Sequence, residues 1–139
     1  MPLTIRHLHP WEVTPEEAIQ LQHTLAAQVI TDQPLPLTSI RLVAGIDVSV
    51  KDDLSRAAVV VLDYPQLTLC ETALARLPVS FPYVPGLLSF REAPVILEAL
   101  SQLDELPDLL LCDGQGLAHP RRFGLACHLG LATVLPSIG

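Results

Sequence analysis

Lysine is nearly missing from this chain. Lys51 is the single one, and lysine and arginine together number 8 against 15 aspartates and glutamates, for a formal net charge of -7. Most nucleic-acid binders show a broad basic surface; a chain this acidic could meet phosphate only through local geometry or through bound cations. Cysteine is scarce as well. Cys70, Cys112 and Cys127 stand singly, with no CxxC and no His/Cys spacing suited to zinc, and they read as small core residues kept reduced in a cytosol. No apolar run reaches the ~18 residues of a membrane span. The opening Met1-Pro2-Leu3-Thr4-Ile5-Arg6-His7 lacks the cationic stretch and apolar block of a signal peptide. These absences lead to the expectation of a cytoplasmic protein with no membrane partner. Internal repeats and low-complexity tracts are absent too.

What is present is enough apolar material for one core: 139 residues, half of them hydrophobic, the size of a single domain. Thr14-Pro15-Glu16-Glu17 has the marks of a helix start, with Thr as N-cap, Pro at the first position and acids in the first turn. Ala18, Leu21, Leu25 and Val29 follow at helical spacing, which predicts an N-terminal helix over 13–33, ahead of a core over 41–139. Leu42 to Val50, Ala57 to Leu62 and Leu67 to Leu74 read as three strands of an antiparallel meander. The proline-rich stretch from Pro78 to Gly86 reads as a rigid loop. A helix is expected from Arg91 to Leu103, a buried strand at Asp108–Cys112, a helix opened by Pro120 and running to Leu129, and a last strand at 132–135. The order βββαβαβ predicts an α/β fold, a mixed sheet with flanking helices.

Four polar residues stand out against this background. Asp47 interrupts an apolar strand on a face shared with Val43, Gly45 and Ser49; a carboxylate there needs a cation, a donor or water, or else it caps a turn. Asp113 ends an apolar strand before Gly114, where ligand crevices commonly open, though Asp-Gly is also a turn former. Glu92 follows Ser89 at capping-box spacing, although Pro94 then falls awkwardly inside the helix. His119 precedes Pro120-Arg121-Arg122 and reads either as a loop residue or as a donor or acid/base toward phosphate; the two arginines are either phosphate contacts or a solvated helix start. Together, Asp47, Glu92 and Asp113 supply the oxygen ligands that hard divalent cations take, and two such ions suit phosphodiester cleavage.

These residues lie within longer motifs. The segment Leu42-Val43-Ala44-Gly45-Ile46-Asp47-Val48 resembles the first-strand motif of the endonuclease V family. Pro82-Tyr83-Val84-Pro85 through Glu92 resembles that family's wedge motif and its following glutamate, and Asp113 through Gly130 resembles its longest signature almost throughout. The resemblance implies a ribonuclease-H-like fold and dependence on Mg2+ or Mn2+. It implies cleavage one nucleotide 3′ to hypoxanthine in DNA, with inosine-containing RNA as a further partner. Under it Asp47, Glu92 and Asp113 are metal ligands and catalytic acids, and His119 is a catalytic histidine. Pro82, Tyr83, Val84 and Pro85 form the strand-separating wedge, and Gly114, Gln115, Gly116 and Leu117 line the lesion pocket. A family lysine and a later acid would fall beyond Gly139, which implies a C-terminally incomplete chain of reduced activity, with a sheet face left open to self-association. Two other readings stay open: a non-catalytic module binding deaminated nucleic acid, and a phosphohydrolase of small phosphate esters.

Overall fold

The computed structural model describes residues 3–139. Helix α1 (Pro15–Ala26) precedes three strands, β1 (Leu42–Lys51), β2 (Leu54–Asp63) and β3 (Leu69–Pro78); then come α2 (Leu88–Leu100), β4 (Leu109–Cys112), α3 (Leu125–Thr133) and a short β5 (Ser137–Ile138). The strands make one mixed sheet in the order β3-β2-β1-β4-β5. β1 and β2 join through Asp52 and Asp53, both with positive φ, as a two-residue hairpin turn with right-handed strand twist requires. β4 lies parallel to β1, with Ile46 opposite Cys112 as the last matched pair. The expected βββαβαβ order is therefore the observed one.

Alternation along the strands decides which face is covered. Leu42, Ala44 and Ile46 of β1, Ala57, Val59 and Val61 of β2, and Ala73 and Ala75 of β3 point into one core with Val95, Ile96, Ala99 and Leu100 of α2 and Leu129 of α3. The alanines on β2 and β3 let α2 approach the sheet closely. The opposite face carries Val60, Leu74, Leu111 and Ile138 exposed to solvent. Asp47 is exposed on that same side, because β1 alternates buried and open there.

Several boundaries differ from expectation, each for a local reason. α1 stops at Ala26, since Gln28 and Val29 fold back onto Leu25 and Ala26 in i→i+3 bonds and β-branched Val29-Ile30-Thr31 gives no helical support. Its start is as expected, and Glu17 completes a capping box with Thr14. β3 begins at Leu69 because Leu67 has positive φ and its amide closes a turn onto Asp63. α2 runs from Leu88, three residues early, with Pro94 inside it. α3 starts at Leu125 rather than Pro120: Arg122 takes positive φ, which ends any helix there, and Gly124 is the N-cap. The stretch expected as a strand at 132–135 is the end of α3 and its left-handed cap, Val134. Cys112 and Cys127 are buried, but Cys70 is exposed and is no core residue.

Candidate active site

Three acids gather where β4 ends alongside β1. Asp113 follows Cys112, whose partner Ile46 precedes Asp47, so the parallel register brings the two aspartates onto neighbouring positions of the sheet. Glu92 reaches the same place from the first turns of α2. Its carboxyl is half-buried, and its pKa is pushed up to about 7, first by burial and then by the charges of Asp113 and Asp47, with Arg91 opposing. The capping-box alternative for Glu92 is overturned. The cap position is Leu87, with no side-chain bond, and the Ser89 hydroxyl is committed elsewhere. Among the described residues, no three acidic, imidazole or thiol groups stand close enough to hold a metal ion as they are. Glu92 thus sits in the field of Asp113 and Asp47.

The prolines around Tyr83 hold it outward. Phe81 is buried and anchors the loop, whereas the Tyr83 ring is 71% exposed, with the Arg91 guanidinium 5.9 Å from its centroid, near the limit for a cation–π contact. A core-packed tyrosine is excluded. Behind the loop, the Gly86 carbonyl accepts three donors: Gln22 Nε2 at 2.8 Å, His119 Nε2 at 2.7 Å and Arg121 Nη2 at 3.1 Å. Gly86 takes φ +87°, a conformation that strains any residue with a side chain, and a Cβ there would displace Arg121 Nη2 from the clamp.

The clamp redefines His119 and Arg121. Because a carbonyl only accepts, His119 Nε2 carries the proton, and its Nδ1 accepts from the Arg121 amide at 3.0 Å. Buried and bonded at both nitrogens, His119 offers neither to a phosphate or a water in this arrangement; it pins the loop at Gly86 instead. Arg121 bonds Gln22 and Gly86 and is likewise no solvated helix start. Gln22 escaped sequence reasoning, yet it stands at i+4 from Ala18 on the buried stripe of α1, and a polar residue in such a stripe is a usable signal.

A cavity of about 160 Å³ lies between the clamp and the third motif, lined by Gly86, Ser89, Gly114, Gln115, His119 and Leu125 among others. Gly114 and Gln115 are part of its lining, and Gly116 and Leu117 lie outside it. Gly124 closes the segment: a Cβ there would stand 2.1 Å from the Gln115 carbonyl.

This sheet order, with helices on one face and acids at the end of β4, defines a fold of the ribonuclease-H-like class. The chain belongs to the endonuclease V family, whose model (Endonuclease V) matches residues 23–139. It is 52% identical over 133 residues to an endonuclease V of Trichormus variabilis, covering 94% of this chain and 60% of that one. It is 54% identical over 141 residues to one of Alkalilimnicola ehrlichii, covering 100% and 62%. Among solved structures, Streptomyces avermitilis endonuclease V matches with a TM-score of 0.88 at 48% identity, over 99% of this chain and 60% of that one. Ciona intestinalis endonuclease V, solved with a 24-mer DNA containing an inosine followed by a ribo-adenosine, matches with a TM-score of 0.80 at 28% identity, over 88% and 55%. The chain thus spans about 60% of the length of the curated relatives it matches. Among the described residues, no helix is long and apolar enough to cross a membrane.

Proposed function

We propose that this chain carries the catalytic acids and recognition loop of a cytoplasmic endonuclease. It hydrolyses a phosphodiester 3′ to a deaminated purine, hypoxanthine or inosine, in DNA, with inosine-containing RNA as an alternative substrate. The observation behind this reading is Glu92 held half-buried in the field of Asp47 and Asp113. That donor set is oxygen-only and anionic, which suits Mg2+ or Mn2+ and not zinc. A cation held by Asp47, Glu92 and Asp113 would neutralise phosphate charge and acidify a water. The chain's own part is to bring the three carboxylates together on β1, α2 and the end of β4, and to present the lesion. Gly114 and Gln115 line a cavity below the ~300–1,000 Å³ of drug-sized pockets, a scale suited to one planar base. The clamp on Gly86 keeps the Pro82–Pro85 wedge in place beside it. Nicking of a hypoxanthine-containing duplex in the presence of Mg2+, absent with EDTA and absent on an undamaged duplex, is the expected result; no nicking by pure, folded protein would refute the catalytic reading.

Tyr83 supplies a separable test. Two prolines fix φ at Pro82 and Pro85, so the ring is presented at low entropic cost and can stack where a base is extruded. Stacking of this kind is worth roughly 1–3 kcal/mol. Tyr83→Ala should weaken binding to hypoxanthine duplex by about one to two orders of magnitude and leave thermal stability unchanged, since the ring is mostly exposed. Unchanged affinity in a filter-binding titration counts against the wedge.

One observation favours a second reading. The Tyr83 ring is exposed on a proline-held loop and presenting it needs no metal, so a chain that recognises deaminated nucleic acid without cutting it fits as well. Tyr83-dependent binding with no Mg2+-dependent nicking identifies this case. The apolar sheet face bearing Val60, Leu74, Leu111 and Ile138 is the candidate surface for self-association. Sedimentation should then show dimers that Leu74→Asp disperses; a monomer at high concentration removes the idea.

A further inference from the structure

A second polar cluster lies apart from the acids and is buried. His128 is fully buried on α3, Ser89 is nearly so on α2, and His9 lies in the segment before α1. Ser89 Oγ is 2.6 Å from His128 Nδ1, His128 Nε2 is 2.7 Å from His9 Nε2, and His9 Nδ1 is 2.8 Å from the Pro10 carbonyl. Chemistry orders the protons along this path. The Pro10 carbonyl only accepts, so His9 Nδ1 donates and the neutral ring's Nε2 accepts. His128 Nε2 therefore donates to His9, and His128 Nδ1 accepts from the Ser89 hydroxyl. Every group is satisfied, and no net charge is buried.

The connectivity is that of a nucleophile, a base and an orienting group, but it is not poised for covalent catalysis. Ser89 is only 2% exposed, and its hydroxyl is committed to His128 Nδ1. Burial and the neighbouring His9 also depress the pKa of His128 to about 3, leaving a poor general base near neutral pH. What the path joins is more telling. Helix α2 starts weakly: its cap residue Leu87 makes no side-chain bond, and Pro94 sits inside the helix, where it cannot donate to the Phe90 carbonyl. Glu92 follows directly on this first turn, and Ser89 stands three residues before it on neighbouring helix surface.

We infer that the Ser89–His128–His9 chain is a positioning device that holds the first turn of α2 against α3 and the N-terminal segment, and thereby sets Glu92 against Asp47 and Asp113. Rings of His9, Trp11, Phe90 and Phe123 pack around His128 at centroid distances of 4.9–5.0 Å, Phe90 included, so the imidazole has no freedom to re-aim. The inference rests on the proposed role of Glu92 as a metal ligand, and its test separates the two. Ser89→Ala removes the donor without adding volume. His128→Asn keeps an acceptor near the Nδ1 position but loses the bond to His9 and the ring packing.

Two measurements decide it. Amide exchange should accelerate at least tenfold over residues 88–92 in Ser89→Ala, with the C-terminal half of α2 unchanged, and less in His128→Asn. Calorimetric Mn2+ affinity should fall about tenfold in Ser89→Ala and be largely retained in His128→Asn, both variants remaining folded by circular dichroism. Unaltered exchange at 88–92, or exchange raised evenly along α2, overturns the positioning role. Equal Mn2+ affinity in Ser89→Ala and the unmodified chain overturns the link to Glu92. If the unmodified chain takes up no Mn2+, the metal reading fails on its own, and the exchange data still decide the positioning role.

Discussion

Replacing Asp113 by Asn is expected to lower the nicking rate on hypoxanthine duplex by about 10²–10³-fold, the usual cost of one preorganised electrostatic group. Asp47→Asn should do the same. The two substitutions have a second signature that needs no activity. Each removes a charge that raises the Glu92 pKa, so each should move it down toward 4.5, read by carboxyl carbon shifts in metal-free protein. A group whose folded pKa is raised contributes stability below its unfolded value and loses it as pH climbs. For Glu92 that loss runs from about pH 4.5 to about 7. Glu92→Gln should therefore stabilise the metal-free protein at pH 8 and change little at pH 4, while abolishing nicking at pH 8, where the unmodified Glu92 is ionised. A Glu92→Gln protein less stable at pH 8 than the unmodified chain would contradict the crowded-carboxylate account.

His128→Ala carries the largest expected loss of stability, about 3–5 kcal/mol. The substitution empties a fully buried ring position, and it strands the Ser89 hydroxyl and His9 without partners. Since domains of this size are stable by only ~5–15 kcal/mol, urea unfolding at pH 7.5 should show a greatly lowered midpoint. The pH dependence is equally specific. His128 is held neutral in the fold, with a pKa near 3 against 6.5 ordinarily. Its contribution is complete above about pH 6.5 and is lost as pH falls toward 3, because the unfolded chain takes up a proton that the folded one refuses, at up to ~1.4 kcal/mol per pH unit. Glu92 and His128 act in opposite directions between pH 4.5 and 6.5, so the comparison belongs in a Glu92→Gln background. There the unmodified His128 protein should lose stability steadily below pH 6.5, and the His128→Ala protein should show a flatter profile. Parallel profiles would mean that His128 titrates freely in the fold.

Much of this was legible beforehand because it is local. Thr14, Pro15 and Glu17 specify a helix start through bonds within four residues, and α1 begins there. Strand alternation placed Asp47 away from Leu42, Ala44 and Ile46, as observed. The helix starts at 88 and 125 differ from the expected ones because long-range partners override local marks. Pro94 is tolerated inside α2 where Val95, Ile96 and Ala99 pack on the sheet. Pro120 opens no helix because the following residues are folded onto Gly86 and Gln22.

The histidines divide along the same line. His119 has a motif around it, so its importance shows in the chain, but its task does not: whether its nitrogens face a phosphate or a carbonyl depends on Gly86, which lies 33 residues away. His128 and Ser89 are separated by 39 residues, and His128 and His9 by 119. By itself the amino-acid sequence determined the order of the elements, the apolar face of the sheet and the acids worth testing, because these follow from periodicity and from the cost of isolated charge in apolar strands. Only the tertiary structure decided which polar groups satisfy one another. A buried hydrogen bond is set by atoms brought within 3 Å through chain folding, and no spacing along the chain encodes that approach.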